Sequence, residues 1–580
     1  VWAGAGENKS QRSVSFGDGV YKSSDGGDSW ERVGLPDSEH IGMIAIHPAD
    51  PDVVFVAAQG PLWRSGGDRG LYKTTNGGKS WRRVLHISED TGINEVHIDP
   101  GDPDVMYASA YQRRRRQWTL IDGGPESAIY RSFDGGDTWH KASRGLPGGD
   151  LGKIGMDISP ADPNTVYAIV TATGDSSGFY RSTNKGETWQ RMSGYKTSSP
   201  QYYNEIIADP HEVGRVYLLD TFMQVTEDGG RTWSSVPTRG KHVDSHALWI
   251  DPADPDHLLA GVDGGVYESF NRGDTWRYTP NLPITQFYKV AVDNAEPFYN
   301  IYGGTQDNNT LGGPSQTFDS GGIRNEHWFV TVGGDGFEPA VDPTDENIVY
   351  SQWQYGNLVR HDRRTGDNVS IKPAHVPGEP AHYWNWDSPL LISPHDHRRL
   401  YFAGNMLFRS DDRGDSWERI SDELHRGINR DTLEVMGRVQ PPEAVDKDLY
   451  TSTYGTAVSL AESPLVEGLL YVGTDDGLVH VSEDGGESWR KVDVFPGVPH
   501  KTYVSDLEAS RHDPDRVYAM FDNHKSGDFA PYLLRSDDRG QTWRDVSGDL
   551  PEREVVYALA EDHELPDLLF VGTEFGAYWT

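Results

Sequence analysis

Apolar residues occur along the whole chain in short runs that are separated by clusters of Gly, Pro and Asp. A typical stretch is IGMIAIHPADPDVVFVAAQ at 41–59, which is followed by GLYKTTNGGKSWRRVL at 70–85. Runs that are rich in Val, Ile and Tyr and bounded by turn-forming residues predict β-strands. This stretch reads as four strands with tight connections, and the same order recurs throughout. The pattern therefore predicts an all-β protein.

An eight-residue box recurs nine times in the chain. It consists of Ser or Thr, any residue, Asp or Asn, any residue, Gly, any residue, Ser or Thr, and Trp, and it begins at 23, 74, 132, 182, 226, 269, 410, 482 and 536. The Asp or Asn can accept hydrogen bonds from nearby amides, the Gly supplies positive φ, and the Trp covers the turn with apolar surface. We interpret each box as a hairpin corner whose Asp and Trp have a structural role and perform no chemistry.

The spacing of the boxes defines a repeat. Trp233 and Trp276 lie 43 residues apart and Trp139 and Trp189 lie 50 apart, whereas 141 residues separate Trp276 from Trp417. That gap corresponds to three units of 47 residues and predicts two units without a box. Four strands at a period of about 45 to 50 residues are typical of a β-propeller blade.

The boxes and the segment RSVSFGDGVYKSSDGG at 12–27 resemble the Asp-box (BNR) repeat propellers. This superfamily includes sialidases, sortilin-type receptors and two-propeller xyloglucan-degrading glucanases, and the similarity is greatest to bacterial proteins labelled BNR-repeat glycosyl hydrolases. The resemblance implies two tandem seven-bladed propellers, at 1–283 and 284–580, with the N-terminal blade of the first and the C-terminal blade of the second incomplete. One ring of ten or more blades, as in sortilin, is the alternative. The resemblance also implies an extracellular, cell-surface or periplasmic location in a bacterium.

Composition excludes several classes of protein. The 580 residues include no Cys, and 53 Lys and Arg against 89 Asp and Glu give a net charge of −36. A disulfide scaffold, a thiolate zinc site, a cysteine nucleophile and a broad basic surface for nucleic acid are all excluded. No apolar run reaches the roughly 18 residues that a membrane-spanning helix needs. The expected partner is a polysaccharide or other glycan, or alternatively a protein or peptide, and no nucleic acid is expected.

Paired carboxylates are the most specific candidate for a catalytic site, because glycoside hydrolysis needs one carboxylic acid and one carboxylate. Asp263, Asp335 and Asp476 lie in Gly-containing loops that are expected on the functional face of a propeller. In the xyloglucan-degrading enzymes, one Asp from each propeller faces a shared cleft, and Asp263 and Asp476 have similar blade positions. We predict Asp263 with Asp476 or Asp335 as the acid and base. The alternative is that Asp before Gly serves only the turn.

A metal site is a separate hypothesis. His242, Asp244 and His246 alternate before an Asp-Pro turn, so they would share one side of a strand. Two imidazoles and a carboxylate can bind a divalent transition metal or provide acid–base groups. The alternative is that they bond to neighbouring strands, and no other cofactor is expected.

Ligand-binding candidates are aromatic and polar residues in the predicted functional-face loops. The densest aromatic cluster contains Tyr383, Trp384 and Trp386, whose rings could stack on sugars or contact a protein partner. Asp307 in GTQDNN, Arg115 in the run RRRR at 113–116, and nearby Trp118 complete the set. A solvated charge run is the alternative for the arginines.

These features favour a secreted, carbohydrate-active, glycosidase-like protein that uses paired carboxylates in a cleft between two propellers, although the residues leave open whether it is an enzyme. The alternative is a non-catalytic, sortilin-like propeller that binds protein or peptide partners, or a structural subunit of a cell-surface assembly. The two differ in geometry, because only an enzyme needs two carboxylates close together beside room for water.

Overall fold

The structure is a computed structural model that describes residues 1–12, 14–282, 284–378 and 380–580. The chain divides into two compact units. Unit 1 comprises Val1–Leu282 and Asp431–Thr451, and unit 2 comprises Pro283–Arg430 and Ser452–Thr580. The sequence predicted a division between 283 and 284 but did not predict that 431–451 belongs with unit 1.

The described part of unit 1 contains six main antiparallel sheets, and each is formed by strands consecutive in the chain, apart from a short hairpin within the third. Sheet 1 has three strands and sheets 2 to 6 have four. Their strands are Trp2–Gly4, Val20–Lys22 and Glu31–Gly34 (sheet 1); Ile41–Ile46, Val54–Ala58, Gly70–Thr74 and Arg82–Leu85 (sheet 2); Thr91–Ile98, Met106–Gln112, Ala128–Ser132 and His140–Ala142 (sheet 3); Leu151–Ile158, Val166–Ala172, Gly178–Ser182 and Gln190–Ser193 (sheet 4); Glu205–Ala208, Val216–Leu219, Gln224–Thr226 and Ser234–Ser235 (sheet 5); and Ser245–Ile250, Leu258–Val262, Gly265–Ser269 and Arg277–Tyr278 (sheet 6). Two short pairs, Arg114–Arg115 with Leu120–Ile121 and Glu434–Val435 with Arg438–Val439, complete the unit.

The described part of unit 2 also contains six main sheets. Sheets 7 to 11 have four strands and sheet 12 has three. Their strands are Val290–Val292, Asn300–Gly304, Thr310–Pro314 and Phe329–Val332 (sheet 7); Ala340–Val341, Ile348–Trp353, Asn357–Asp362 and Asp367–Ser370 (sheet 8); Leu390–Ile392, Leu400–Ala403, Leu407–Ser410 and Glu418–Arg419 (sheet 9); Ala457–Glu462, Leu470–Thr474, Val479–Ser482 and Arg490–Val492 (sheet 10); Tyr503–Ala509, Val517–Asp522, Tyr532–Ser536 and Arg544–Asp545 (sheet 11); and Val556–Glu561, Leu569–Thr573 and Ala577–Trp579 (sheet 12).

The hydrophobic core of each unit is divided among the spaces between consecutive sheets. One cluster joins Tyr107 and Ile129 of sheet 3 to Ile154 and Met156 of sheet 4. Another joins Tyr471 of sheet 10 to residues of sheet 11. Alternate residues of each strand thus face opposite neighbouring sheets, which is why these strands carry short, nearly continuous apolar runs. Serial packing of four-stranded meanders is the arrangement of propeller blades.

The boxes are hairpin corners, as the sequence predicted. In the first box, Asp25 Oδ1 accepts from the amide of Ser29 at 3.0 Å, and Ser23 Oγ accepts from the amide of Gly27 at 2.8 Å. The Asp therefore accepts from an amide four residues on in the chain. Several box tryptophans also bond the segment that ends the preceding sheet, and Trp489 Nε1 donates to Ile420 O at 2.9 Å. Such a box closes its own turn and also ties two sheets together.

The fold is all-β and of the propeller type. Within the described residues, helical structure is limited to single 3₁₀ turns at Gly174–Ser176, Asn325–His327, Arg430–Thr432 and His524–Ser526. None of the helical segments in those ranges has the length and apolar character needed to cross a membrane. Sheets 7 and 8 lack the box, in agreement with the 141-residue gap. Six main sheets per unit are described, so two seven-bladed rings stay a prediction.

Candidate functional site

Two carboxylates of unit 1 lie side by side. Asp244 immediately precedes the first strand of sheet 6, and Asp263 lies in the turn between its second and third strands. The amide of Asp263 donates to Asp244 O at 3.2 Å, and this bond joins the two segments. A carboxylate oxygen of Asp244 lies within 4.8 Å of one of Asp263. Both side chains are half-buried, so they remain accessible to water.

Two tyrosines and a histidine surround this pair. The hydroxyl of Tyr202 donates to Asp263 Oδ2 at 2.7 Å, and that of Tyr203 donates to Asp244 Oδ1. Nε2 of His246 lies 2.9 Å from Asp263 Oδ1, and its ring stacks on Tyr203 with centroids 5.2 Å apart. We call Tyr202, Tyr203, Asp244, His246 and Asp263 the unit 1 carboxylate site.

The two carboxylates have different electrostatic environments. Burial raises the pKa of Asp244, the nearby charge of Asp263 raises it further, and the hydrogen bond from Tyr203 partly opposes both effects. Asp263 lies beside His246 and accepts a bond from Tyr202. Burial thus raises the pKa of Asp244, whereas Asp263 has hydrogen-bonding neighbours, and unequal surroundings of two carboxyl groups are what acid–base pairs use.

The tyrosines are held from sheet 4. Asn204 follows them with φ of +70°, and its side-chain amide donates to Lys153 O at 2.8 Å. Nζ of Lys153 donates to Tyr203 O at 2.7 Å. Asn tolerates the left-handed conformation better than most residues, so its place after Tyr203 has a structural reason.

Lys153 is completely buried. Its Nζ lies 3.6 Å from Glu205 Oε1, and Glu205 is also paired with Lys9. Burial lowers the pKa of Lys153 to about 7, although Glu205 partly opposes this effect. The sequence reasoning missed Lys153, but a charged residue inside the apolar strand LGKIGMDI was a signal that could have found it.

The predicted metal trio is arranged differently from the expected strand. Only His246 lies within Ser245–Ile250, since His242 and Asp244 precede it and Asp244 has φ of +61°. Nδ1 of His242 lies 2.9 Å from Val243 O. The alternation that would place the three on one side therefore does not apply. Among the described residues, these three do not form a group with ligand atoms within 4.8 Å of one another. Metal binding there stays a prediction.

Asp335 and Asp307 lie together in unit 2. The amide of Asp307, whose φ is +60°, donates to Asp335 Oδ1 at 3.1 Å. The amide of Asp335 donates to Gln354 Oε1 at 3.4 Å, and Asp335 is buried. These bonds hold the connection between the second and third strands of sheet 7 against the loop that follows the fourth strand.

Asp476 was predicted to be catalytic, but its carboxylate is buried and hydrogen-bonded. Its side chain is only 1% exposed, and its carboxylate accepts from the amide of Arg426 and the hydroxyl of Thr474, both at 2.7 Å. Its neighbour Asp475 accepts from the amides of Gly455 and Thr456 at 2.9 and 2.8 Å. Burial raises the pKa of Asp475 to about 8, with a further contribution from Asp476.

Trp384 belongs to the core of unit 2 and does not form a surface platform. It is 6% exposed and stacks on Phe402 with centroids 4.7 Å apart. The prediction of a sugar platform fails here because Trp384 fills the space between sheets 8 and 9. Trp386 is half-buried and lies edge-on to Tyr355 and Phe337 at 5.0 and 5.9 Å.

Tyr383 lies nearer the surface and is half-buried. Its hydroxyl lies 2.8 Å from Nε2 of His425, and its backbone amide donates to Asn405 Oδ1 at 3.1 Å. Glu423 Oε1 lies 3.6 Å from the same His425 nitrogen. We call Tyr383, Glu423 and His425 the unit 2 tyrosine site. Sequence reasoning named Tyr383 but missed His425, which no local motif marks.

The arginine run is buried within unit 1 rather than solvated. Arg115 donates to the carbonyls of Ser10 at 3.2 Å and Tyr450 at 2.6 Å. Burial lowers its pKa to about 9, with a further contribution from Arg12. Arg115 thus ties the N-terminal segment and the 431–451 segment to sheet 3. Trp118 is half-buried in the turn after Arg115.

Residues 18–145 match the family model described as Sortilin, neurotensin receptor 3. The chain is 25% identical over 247 residues to xyloglucanase Xgh74A of Acetivibrio thermocellus, covering 38% of this chain and 26% of that protein. It is 23% identical over 605 residues to a xyloglucanase of Paenibacillus sp, covering 85% of this chain and 53% of that protein. The chain thus spans between a quarter and about half of the length of these relatives.

Solved structures give matches over nearly the whole chain. The GH74 xyloglucanase from Xanthomonas campestris matches with a TM-score of 0.41 and 15% identity, covering 100% of this chain and 99% of that one. The GH74 enzyme of Niastella koreensis matches with a TM-score of 0.39 and 13% identity, covering 97% and 94%.

Three observations bear on the kind of protein this is. The nine boxes recur at blade spacing, the described sheets pack serially as propeller blades do, and sheets 1 to 3 lie largely within the segment that matches the sortilin model. The chain therefore has a β-propeller fold and is similar to the Asp-box (BNR) repeat propellers.

Proposed function

We propose that the protein hydrolyses glycosidic bonds of a polysaccharide of the xyloglucan type at the unit 1 carboxylate site. The observation that carries this proposal is the approach of a carboxylate oxygen of Asp244 to within 4.8 Å of one of Asp263, with burial raising the pKa of Asp244 and with Tyr202 and His246 beside Asp263. The names of the curated relatives supply the substrate class, and they bear on only part of each relative's length.

We assign a retaining mechanism, in which the two carboxyl groups lie about 5 to 5.5 Å apart, because oxygens within 4.8 Å of each other are closer than the about 6.5 to 9.5 Å that an inverting mechanism needs. In the first step, protonated Asp244 gives its proton to the leaving oxygen while Asp263 bonds to the anomeric carbon and the glycosidic bond breaks. In the second step, Asp244 takes a proton from water, which displaces Asp263 from the sugar. Tyr202 and His246 hold Asp263 in its charged form before the attack.

This pairing differs from the combination of Asp263 with Asp476 or Asp335 that the sequence suggested. Asp476 is enclosed by bonds to Arg426 and Thr474, and Asp335 by contacts within unit 2. In this proposal, both side chains stabilise their loops and take no part in catalysis. A polysaccharide substrate also implies that the protein works outside the cytoplasm, because such polymers do not enter it.

The test is the release of reducing sugar from xyloglucan and from unbranched β-glucan by the purified chain. We expect Asp263→Asn and Asp244→Asn each to lower turnover at least 100-fold, since Asp263 forms the bond to the sugar and Asp244 transfers the proton in both steps. Asp274→Asn is the matched control, because Asp274 is an exposed box residue of the same sheet 6 hairpin. Proton NMR of the first product should show retained anomeric configuration. Full turnover in Asp263→Asn, or inversion, would refute the mechanism.

A second function is favoured by one observation, the match of residues 18–145 to the sortilin model. In that case the protein binds a peptide segment and turns over nothing. The discriminating measurement is the hydrolysis assay itself, followed by a screen of immobilised peptides. Turnover that depends on Asp263 contradicts the binding-only function.

A further inference from the structure

The hydrogen bonds of His425 leave the hydroxyl proton of Tyr383 without an acceptor. The amide of Gly427 donates to Nδ1 of His425 at 2.8 Å, so Nδ1 carries a lone pair. A neutral imidazole has a single N–H, which must then be on Nε2. Nε2 lies 2.8 Å from the hydroxyl of Tyr383, so the hydroxyl oxygen accepts a hydrogen bond from Nε2–H and cannot donate to His425.

The proton of the Tyr383 hydroxyl is therefore directed elsewhere. In the part of the chain that the structure describes, the Tyr383 hydroxyl has no acceptor at hydrogen-bond distance. Burial, Glu423 and the more distant Asp475 and Asp476 raise the pKa of Tyr383, so the proton is retained at neutral pH. Tyr383 is thus a fixed, half-buried donor.

A carboxylate lies beside this donor. Glu423 Oε1 lies 3.6 Å from the same Nε2 of His425, and the Glu423 side chain is 45% exposed. Glu423 also lines a surface groove of about 660 Å³ that runs past Arg419, Ser421 and Lys491, so there is room for an extended ligand next to it.

A donor next to a carboxylate selects the chemistry of the ligand. A hydroxyl group can accept from Tyr383 and donate to Glu423, whereas an ammonium group can only donate and a carboxylate can only accept. The negative charge of the exposed Glu423 side chain also repels anions. We propose that the unit 2 tyrosine site binds the hydroxyl groups of a neutral saccharide, with Tyr383 as the donor and His425 as the residue that orients it.

This site is independent of the chemical steps assigned to unit 1, although the choice of saccharide rests on the proposed function. The experiment is calorimetric titration of the full-length Asp263→Asn chain, which does not consume ligand, with a xyloglucan oligosaccharide. Adding Tyr383→Phe removes only the hydroxyl, and we expect Kd to rise about 2- to 12-fold, as for the loss of one hydrogen bond. Tyr299→Phe is the matched control, because Tyr299 is an exposed tyrosine of the same unit.

Three further results decide the proposal. Glu423→Gln should also weaken binding, and an oligogalacturonate of equal length should bind more weakly than the neutral sugar. Equal Kd in Tyr383→Phe and Tyr299→Phe, tighter binding of the anionic sugar, or no saccharide binding at all would overturn it. Saccharide binding that depends on Tyr383 in a chain without turnover would leave this inference standing and refute the proposed function. Turnover with a KM that Tyr383→Phe does not change would refute this inference and leave the proposed function standing.

Discussion

The buried lysine of unit 1 should make stability depend on pH. Lys153 has no exposed surface, and burial lowers its pKa from 10.5 to about 7. The unfolded chain keeps the proton up to about pH 10.5, whereas the folded chain loses it above about pH 7. The unfolded state therefore binds more protons between these values, so the contribution of Lys153 to the free energy of unfolding rises with pH across this window.

The pH dependence of the free energy of unfolding has the size expected for one titrating proton. Each pH unit inside the window contributes about 1.4 kcal/mol, so wild type should gain about 2 kcal/mol between pH 7 and pH 9 relative to Lys153→Met. The Met side chain fills a similar space but does not titrate. It also leaves Tyr203 O without its donor, which lowers stability at both pH values and cancels in the comparison.

The assay is equilibrium urea unfolding at pH 7 and pH 9, followed by tryptophan fluorescence, for wild type, Lys153→Met and the control Lys79→Met. Lys79 is an exposed box residue of unit 1 and should not change the pH dependence. Parallel pH dependence in wild type and Lys153→Met would show that Lys153 stays charged in the folded state, and the reasoning from burial would then be wrong.

Three other substitutions test single contacts. Trp417→Phe removes the 2.6 Å bond from Nε1 to Ile371 O between sheets 8 and 9, and urea unfolding should show a loss of about 1 kcal/mol. Trp384→Ala should cost about 3 to 5 kcal/mol in the same measurement, because its ring stacks on Phe402 in the core; saccharide affinity lost without lost stability would contradict this. Burial raises the pKa of Asp475 to about 8, so this side chain binds a proton more tightly in the folded state, and its contribution to the free energy of unfolding falls between about pH 4 and pH 8. Asp475→Asn should therefore flatten the fall in melting temperature over that range. An unchanged slope would contradict this prediction.

Much of the fold could be predicted because its signals are local. Box positions such as Asp25, Ser29 and Trp30 interact within a few residues of one another, so the hairpin corners are evident from the sequence. The 141-residue gap correctly located two sheets without boxes. The assignment of 431–451 to unit 1 could not be predicted, since it depends on contacts such as that of Tyr450 with Arg115, which are distant in sequence.

The candidate site was only partly predictable. Asp263, Asp244 and His246 were named from their loops, but the sequence assigned Asp263 to one hypothesis and the other two to a different one. Their proximity arises because Asp244, with positive φ, lies just before the strand, and its carbonyl accepts a hydrogen bond from the amide of Asp263 in the neighbouring turn. For Trp384 the opposite error occurred, because an aromatic cluster looks the same in sequence whether it faces solvent or a neighbouring sheet.

The sequence by itself determined the repeating hairpins, the absence of long helices and the acidic, cysteine-free character of the protein, because propensity, turn chemistry and charge depend on nearby residues or on composition. Only the tertiary structure decided which polar residues are buried and which of them meet. Lys153 lies in sheet 4 and Tyr203 lies in the loop before sheet 5. The tautomer of His425 depends on an amide and a hydroxyl 44 residues apart in sequence. Protonation and hydrogen bonding are set by such neighbours in space, and these are fixed only when the sheets pack.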